Sequence, residues 1–250
     1  MPHFIALTCE ALARPIYALA AESANTISVR LFKQGLHNRP KGLRATLQEA
    51  IDAIGPGECD AILLVYGLCG MATAGLAARH TPLVIPRAHD CITLFLGSRE
   101  RYQEEFEKAP GTYWYTVDYI ERMQGEGAVT LGAAGIEATE EQYEKYVAKY
   151  GQETADKLIE EIRKWMQHYT RAAVIDTGFG DVDRIAQIAR EKAEHEGWQF
   201  ERLEGNRRLL HKLINHQWDS DEFLVVPPGH VVRPSYGDEV IRAEPAEETL

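Results

Sequence analysis

The sequence predicts an α/β protein made of two doubly wound, Rossmann-like lobes with parallel sheets, joined by a long helical segment. Three observations predict it. Short apolar or β-branched runs alternate with helical stretches along most of the chain, which implies parallel strands covered by helices on both faces. The alternation is interrupted once, by a charged helical stretch over 139–169, and then resumes. With 250 residues, 45% of them hydrophobic, the chain suits one large domain or two compact halves and needs no disulfide or metal merely to fold.

The elements follow in order. Residues 4–8, 27–32, 61–66 and 82–86 read as the first four strands. Residues 43–54 read as an amphipathic helix, because Leu43, Leu47, Ala50, Ile51 and Ile54 follow the helical period and Gly55-Pro56-Gly57 stops it. Residues 93–108 read as another helix, ended by Ala109-Pro110-Gly111. Residues 111–135 are rich in Gly and aromatics without a clear period, and read as an irregular linker. Its rings Tyr113, Trp114 and Tyr115 would form a lid or pack in the core. In 139–169, broken near Gly151, Tyr143, Tyr146 and Tyr150 share a helix face that should pack on the core. Then come a strand over 172–175, a helix over 181–195, a strand over 198–203, a helix over 207–215 and a strand over 223–226. These elements give a first lobe over 1–110, an aromatic linker and long helix over 111–170, a second lobe over 171–234 and a loose tail over 235–250, with a cleft expected between the lobes.

Charge narrows the partners. Lys and Arg number 27 against 38 Asp and Glu, a net charge of −11. Nucleic acid and anionic membranes both require a basic face, so neither is expected as a partner. No run approaches the ~18 apolar residues that span a bilayer, and the first residues lack a basic stretch followed by a long apolar one, so a cytoplasmic protein is expected.

The cysteines matter by position. Cys9 follows the first strand, Cys69 follows the third in Tyr66-Gly67-Leu68-Cys69-Gly70, and Cys91 follows the fourth in Pro86-Arg87-Ala88-His89-Asp90-Cys91. If these strands are parallel, all three thiols stand at the carboxyl edge of one sheet, where open α/β sheets bind ligands. Each segment leads toward a helix, whose amino end favours an anion, so the thiols are expected to ionise. Cys9, Cys69 and Cys91 are therefore the candidate metal ligands, with His89 as a fourth ligand or as an acid/base. Glu10 and Asp90 lie beside them as possible outer acceptors. Cys59 sits on a turn and should be remote. No pair has C-x-x-C spacing, so the argument rests on topology. The alternative is that the cysteines are buried core residues.

The same words carry a family resemblance. Tyr66-Gly67-Leu68-Cys69-Gly70, Pro86-Arg87-Ala88-His89-Asp90-Cys91-Ile92-Thr93, Leu96-Gly97-Ser98-Arg99-Glu100-Arg101-Tyr102 and Pro110-Gly111-Thr112-Tyr113, with Cys9-Glu10 and Gly197-Trp198, resemble a bacterial and archaeal family known as a domain of unknown function, numbered 1638. The likeness covers roughly residues 4 to 230. It implies a setting beside corrinoid proteins and corrinoid-dependent methyltransferases of anaerobic one-carbon metabolism, and assigns no reaction. In that setting, three thiolates would hold zinc or an iron–sulfur cluster, and His89 with its nitrogen favours zinc. The expected partners are a small-molecule substrate or a corrinoid protein, with a corrinoid reaching the site through that protein.

Weaker signals lie elsewhere. Gly178 and Gly180, in Asp176-Thr177-Gly178-Phe179-Gly180-Asp181, follow a strand and open a helix, where backbone N–H groups can approach a cofactor. Arg207 occupies the analogous place after the next strand, and His230 follows the last one. Arg87, His89 and Arg99 suggest a small basic pocket for a carboxylate or phosphate. Three functions are expected: a metal-dependent, methyltransferase-type enzyme; a non-catalytic carrier or chaperone for a metal, cluster or corrinoid; or a metal-free small-molecule binding protein.

Overall fold

A computed structural model of the chain describes residues 1–122 and 140–246. Residues 123–135 of the expected linker, Thr139, Glu247 and Glu248 lie outside the described residues. In chain order the elements are β1 (His3–Cys9), α1 (Ala13–Glu22), β2 (Thr26–Phe32), α2 (Pro40–Asp52), β3 (Ala61–Val65), β4 (Leu83–Pro86), α3 (Cys91–Leu96), α4 (Arg99–Lys108), β5 (Thr112–Tyr115) and α5 (Val117–Glu121). They continue with α6 (Glu140–Tyr150), α7 (Gln152–Met166), β6 (Arg171–Asp176), α8 (Val182–Glu196), β7 (Gln199–Glu204), α9 (Arg208–Ile214), β8 (Phe223–Val226), β9 (His230–Pro234) and β10 (Ile241–Pro245). The protein is α/β, as the alternating pattern predicts.

The chain divides into two compact units: Met1–Tyr102 together with Gly205–Leu250, and Gln103–Glu204. The division differs from the one read off the sequence. The first unit is discontinuous, and its boundary falls inside α4 rather than at the Ala109-Pro110-Gly111 turn. The physical reason is β8. It was expected in the second lobe, yet it hydrogen-bonds to β4 in the first sheet, with Leu83 opposite Val226 and Pro86 opposite Phe223.

In the first unit the sheet order is β2-β1-β3-β4-β8. The first four strands are parallel and β8 runs antiparallel to β4, which corrects the expectation of parallel strands throughout. β3 (AILLV) is buried at every position, the mark of a strand covered on both faces. In α2, Leu43, Leu47 and Ile51 are its buried positions, spaced four apart on one face. Chain order reverses between β1 and β3, so the switch point of the sheet lies at their carboxyl ends.

The helix expected over 93–108 is two helices. Gly97 ends α3 in the left-handed region (φ +86°), and a Cβ there would come 2.7 Å from that of Asn206. Only glycine combines that backbone with that approach. The expected loose tail is also ordered as far as β10: β9 and β10 form an antiparallel hairpin, and Val240 and Ile241 are buried.

In the second unit β5, β6 and β7 form a parallel sheet with β6 in the middle. Part of the expected irregular linker is therefore strand β5. Tyr113, Trp114 and Tyr115 are buried, and Tyr113 packs on Tyr115, Tyr169 and Trp198. These rings form core, not a lid. The helix over 139–169 breaks at Gly151 (φ +80°). Tyr143 on its first half donates to Asp156 on its second at 2.8 Å, and Tyr150 is exposed.

Candidate functional site: thiols at the switch point

β1 ends at Cys9, and β3 ends one residue before Tyr66. Parallel pairing sets Thr8 opposite Val65, so the next residues along, Cys9 and Tyr66, leave the sheet side by side. The backbone beyond β3 then runs along the backbone beyond β4. Leu68 N–H donates to the Ala88 carbonyl at 2.8 Å, and Cys69 N–H to the His89 carbonyl at 2.9 Å. Gly67 permits this approach, since a Cβ there would lie 2.7 Å from Asp90 Cα and N. Cys91 opens α3, held by Asp90. The Asp90 carboxylate caps the helix by accepting from the N–H of Ile92 (2.9 Å) and Thr93 (3.4 Å), and its other oxygen accepts from the Tyr102 hydroxyl at 3.3 Å.

The three thiols stand at the same edge: Cys91 is within hydrogen-bonding reach of Cys69, and Cys9 lies within electrostatic range of both. Cys9 is buried, while Cys69 and Cys91 are partly exposed. Cys59 precedes β3 and so stands at the opposite, amino edge. Cys69 adopts φ +45° and Met71 φ +74°, a left-handed conformation that costs a non-glycine residue ~1–2 kcal/mol.

The expected ionisation of Cys9 and Cys91 is corrected. Burial pushes Cys9 up to about 12, against the lowering effect of the Ala11 N–H, and the nearby Cys69 and Glu10 add to the rise. Cys91 is raised by its hydrogen bond to Cys69, by burial and by the neighbouring sulfurs. Loss of water and crowding of like charges outweigh the helix end.

Tyr66 was not singled out from the sequence. Its hydroxyl lies within electrostatic range of all three sulfurs and Glu10, whose charges, with burial, raise it. It is buried, with no hydrogen-bond partner among the described residues. Its one sequence signal is its place directly after a buried strand. The His89 side chain is exposed, and the tie it provides to this site is its backbone carbonyl. Among the described residues, no three His, Cys, Asp or Glu side chains are disposed to hold a metal ion.

The secondary candidates fare differently. Gly178 and Gly180 have positive φ. The Asp176 carboxylate accepts from Gly178 N–H at 2.9 Å, and Asp181 from Arg184 N–H at 3.0 Å. The turn is thus filled by its own carboxylates, which repel an anion. Arg207 is exposed at the start of α9, in the first unit, whereas both glycines belong to the second. His230 opens β9, and its ring lies 3.2 Å from the Pro228 carbonyl. Arg87 and Arg99 lie near each other, and both are engaged by backbone carbonyls. Arg87 donates to the carbonyls of Ser220 (2.8 Å), Glu239 (2.8 Å) and Ile241, and Arg99 to those of Asp238 and Asp221 (3.1 Å). Both guanidinium groups tie down the C-terminal segment.

A depression of about 750 Å³ in the second unit is lined by Arg163, Tyr169, Lys192, His195, Glu196 and Trp198, among others. It lies at the amino ends of β6 and β7, the edge opposite to the one α/β sheets use for ligands. Glu196 there already pairs with Lys192 at 3.0 Å and with His195 at 3.3 Å.

The fold defines an α/β protein with three cysteines following the parallel strands β1, β3 and β4 at the carboxyl edge of its larger sheet. Residues 31–214 match the family described as Protein of unknown function (DUF1638), and the chain belongs to that family. No curated protein and no solved structure matches the chain.

Proposed function

We propose that Cys9, Cys69 and Cys91 hold a thiophilic metal centre, zinc or an iron–sulfur cluster, and that the protein serves corrinoid-linked methyl transfer. The observation that supports the reading is that parallel β1, β3 and β4 bring Cys9, Cys69 and Cys91 to one edge of the sheet, beside the switch point. The donor set suits a soft cation. A bound cation would favour the thiolate forms of Cys9 and Cys91, so binding would release protons. A bound zinc ion would hold a thiol substrate as thiolate, and a cluster would supply electrons. His89, on the exposed rim, would complete the ligand set or act as acid/base. The methyl-transfer setting rests on the family resemblance alone, and a carrier passing the metal or a corrinoid to a partner enzyme is the non-catalytic form of the same reading.

A second reading, a metal-free small-molecule binding protein, is favoured by the raised thiols and by the lack of a preformed ligand set among the described residues. Metal analysis and visible absorption of anaerobically purified protein separate the two. Near-stoichiometric zinc in colourless protein, or iron with a broad absorption that bleaches on reduction, supports the metal centre. Protein with neither metal nor colour supports the second reading. Turnover of a methyl donor distinguishes enzyme from carrier.

A further inference from the structure

Cys69 and Cys91 are brought together by contacts that the fold fixes from both sides. Leu68 N–H donates to the Ala88 carbonyl at 2.8 Å, and Cys69 N–H to the His89 carbonyl at 2.9 Å. Gly67 sits so close to Asp90 that a Cβ on it would stand 2.7 Å from Asp90 Cα. The turn that carries Cys69 closes on itself: the Thr73 hydroxyl donates to the Gly67 carbonyl at 3.2 Å, and Ala72 N–H to the Cys69 carbonyl at 3.3 Å. The turn that leads into Cys91 is held by Asp90, whose carboxylate accepts from Ile92 N–H at 2.9 Å. Between these two fixed turns, Cys91 is within hydrogen-bonding reach of Cys69. Both residues are partly exposed, whereas Cys9 is buried. Thiol–disulfide exchange needs a sulfur open to its reagent and a second sulfur able to close to ~2.0 Å on the first. Of the three cysteines at this edge, Cys69 and Cys91 are the pair that combines both.

We propose that Cys69 and Cys91 form a reversible dithiol–disulfide pair that exchanges with low-molecular-weight disulfides and thiols. Cys69 attacks first, because Cys91 can donate a hydrogen bond to its thiolate. Cys69 Sγ bonds to one sulfur of the small disulfide, whose S–S bond breaks. A mixed disulfide stays on Cys69, and the first small thiol leaves with the Cys69 proton. Cys91 Sγ then bonds to Cys69 Sγ, the mixed S–S bond breaks, and the second small thiol leaves with the Cys91 proton. Two electrons and two protons thus pass from the protein to the small disulfide, which becomes two thiols. An excess of small thiol reverses both steps. This chemistry belongs to the metal-free protein and does not rest on the metal centre proposed above; a metal on the same sulfurs would compete with it.

The test uses the full chain. Metal content is measured on the purified protein, so the metal reading stands or falls on a separate number. The protein is then freed of metal with EDTA, reduced, and equilibrated anaerobically with a fixed mixture of reduced and oxidised glutathione. It is quenched in acid, alkylated and mapped by mass spectrometry. Trypsin should release residues 45–79 and 88–99 as one linked pair, with fragment ions placing the bond on Cys69 rather than Cys59. Dithiothreitol should reverse it. The ratio of linked to free pair should be roughly tenfold or more higher in the folded protein than in the same buffer with denaturing urea, where the two thiols meet only through chain diffusion. An equal or lower ratio in the folded protein overturns the proposal, because the fold would then not hold the pair in bonding geometry. A bond to Cys9 as the main product overturns the pairing. Glutathione adducts without an internal bond, or four thiols left free, overturn it as well, and each of these results leaves the metal reading standing.

Discussion

Gly67 packs directly against the backbone of Asp90, with room for no side chain: a Cβ on Gly67 would stand 2.7 Å from Asp90 Cα and N. This contact lets the segments after β3 and β4 run together, and so delivers Cys69 and Cys91 to one place. Gly67→Ala should therefore cost ~1–3 kcal/mol of stability by overpacking and should lower metal uptake by parting the two loops. Urea unfolding and metal analysis check it, and a variant as stable and as well loaded as the parent would refute the account.

The thiol site makes a prediction by serine scanning. Cys9→Ser, Cys69→Ser and Cys91→Ser should each strongly reduce metal occupancy, because a serine hydroxyl stays protonated where a thiolate would bind. Cys59→Ser, at the opposite edge of the sheet, should not. His89→Ala should weaken binding if its ring is a ligand and leave occupancy intact if it is an acid/base. All five variants should still fold, since serine is close in size to cysteine and most of the first unit's core is aliphatic and aromatic, with Phe4, Leu7, Leu47, Leu63 and Leu64 among its members. Equal metal loss in Cys59→Ser would mean that the site is misplaced.

Cys9 should be a sluggish nucleophile in the metal-free protein. With its thiol pushed up to about 12, only ~10⁻⁴ of it is thiolate at pH 8, so iodoacetamide should label it far more slowly than in unfolded chain. The sign for stability follows. A thiol raised above its ordinary value of 9.0 stabilises the fold fully below that pH, and the contribution falls as pH rises above it. Mass-spectrometric labelling rates between pH 7 and 10 measure the first, and urea midpoints over the same range the second. Rapid labelling of Cys9 at pH 7 would refute the burial argument.

The second unit should be sensitive to Arg171. Its side chain is 2% exposed and binds Glu105 at 2.6 Å, Glu201 at 2.7 Å and the Thr112 hydroxyl at 2.9 Å. Arg171→Met should cost ~3–5 kcal/mol, because it leaves carboxylates beside a site built for a cation. Arg171→Lys should cost less, keeping the charge but losing the fork. Lys108, followed by Arg171, holds Glu201 below the usual carboxylate range. Its contribution is thus complete above the ordinary value of 4.5 and disappears as pH falls through the lowered one. Unfolding followed between pH 6 and pH 2 should show stability falling on the acid side of pH 4.5, and the fall should shrink in Glu201→Gln.

The elements were legible where their signal is local. The helix around Leu43, Leu47 and Ile51, the break at Gly151 and the strand Phe223–Val226 all lie where period and glycine chemistry place them. Two elements were misread. Residues 93–108 read as one helix ended by Ala109-Pro110-Gly111, and only the left-handed Gly97 and the approach of Asn206 show that the chain turns earlier. The aromatic run Tyr113–Tyr115 read as irregular because a strand buried at every position has no alternation to detect.

By itself, the sequence determined that strands alternate with helices, and that Cys9, Cys69 and Cys91 each follow a strand. Those properties depend on residues within a dozen positions of one another, where side-chain period reports burial. The tertiary structure alone decided that β8 returns to pair with β4, that the first unit is therefore discontinuous, that the buried Tyr66 hydroxyl has no hydrogen-bond partner among the described residues, and that burial raises the Cys9 and Cys91 thiols. Strand partners such as Leu83 and Val226 are distant in the chain, and an ionisation depends on how much water the whole fold removes. Neither quantity is written in any local stretch of residues.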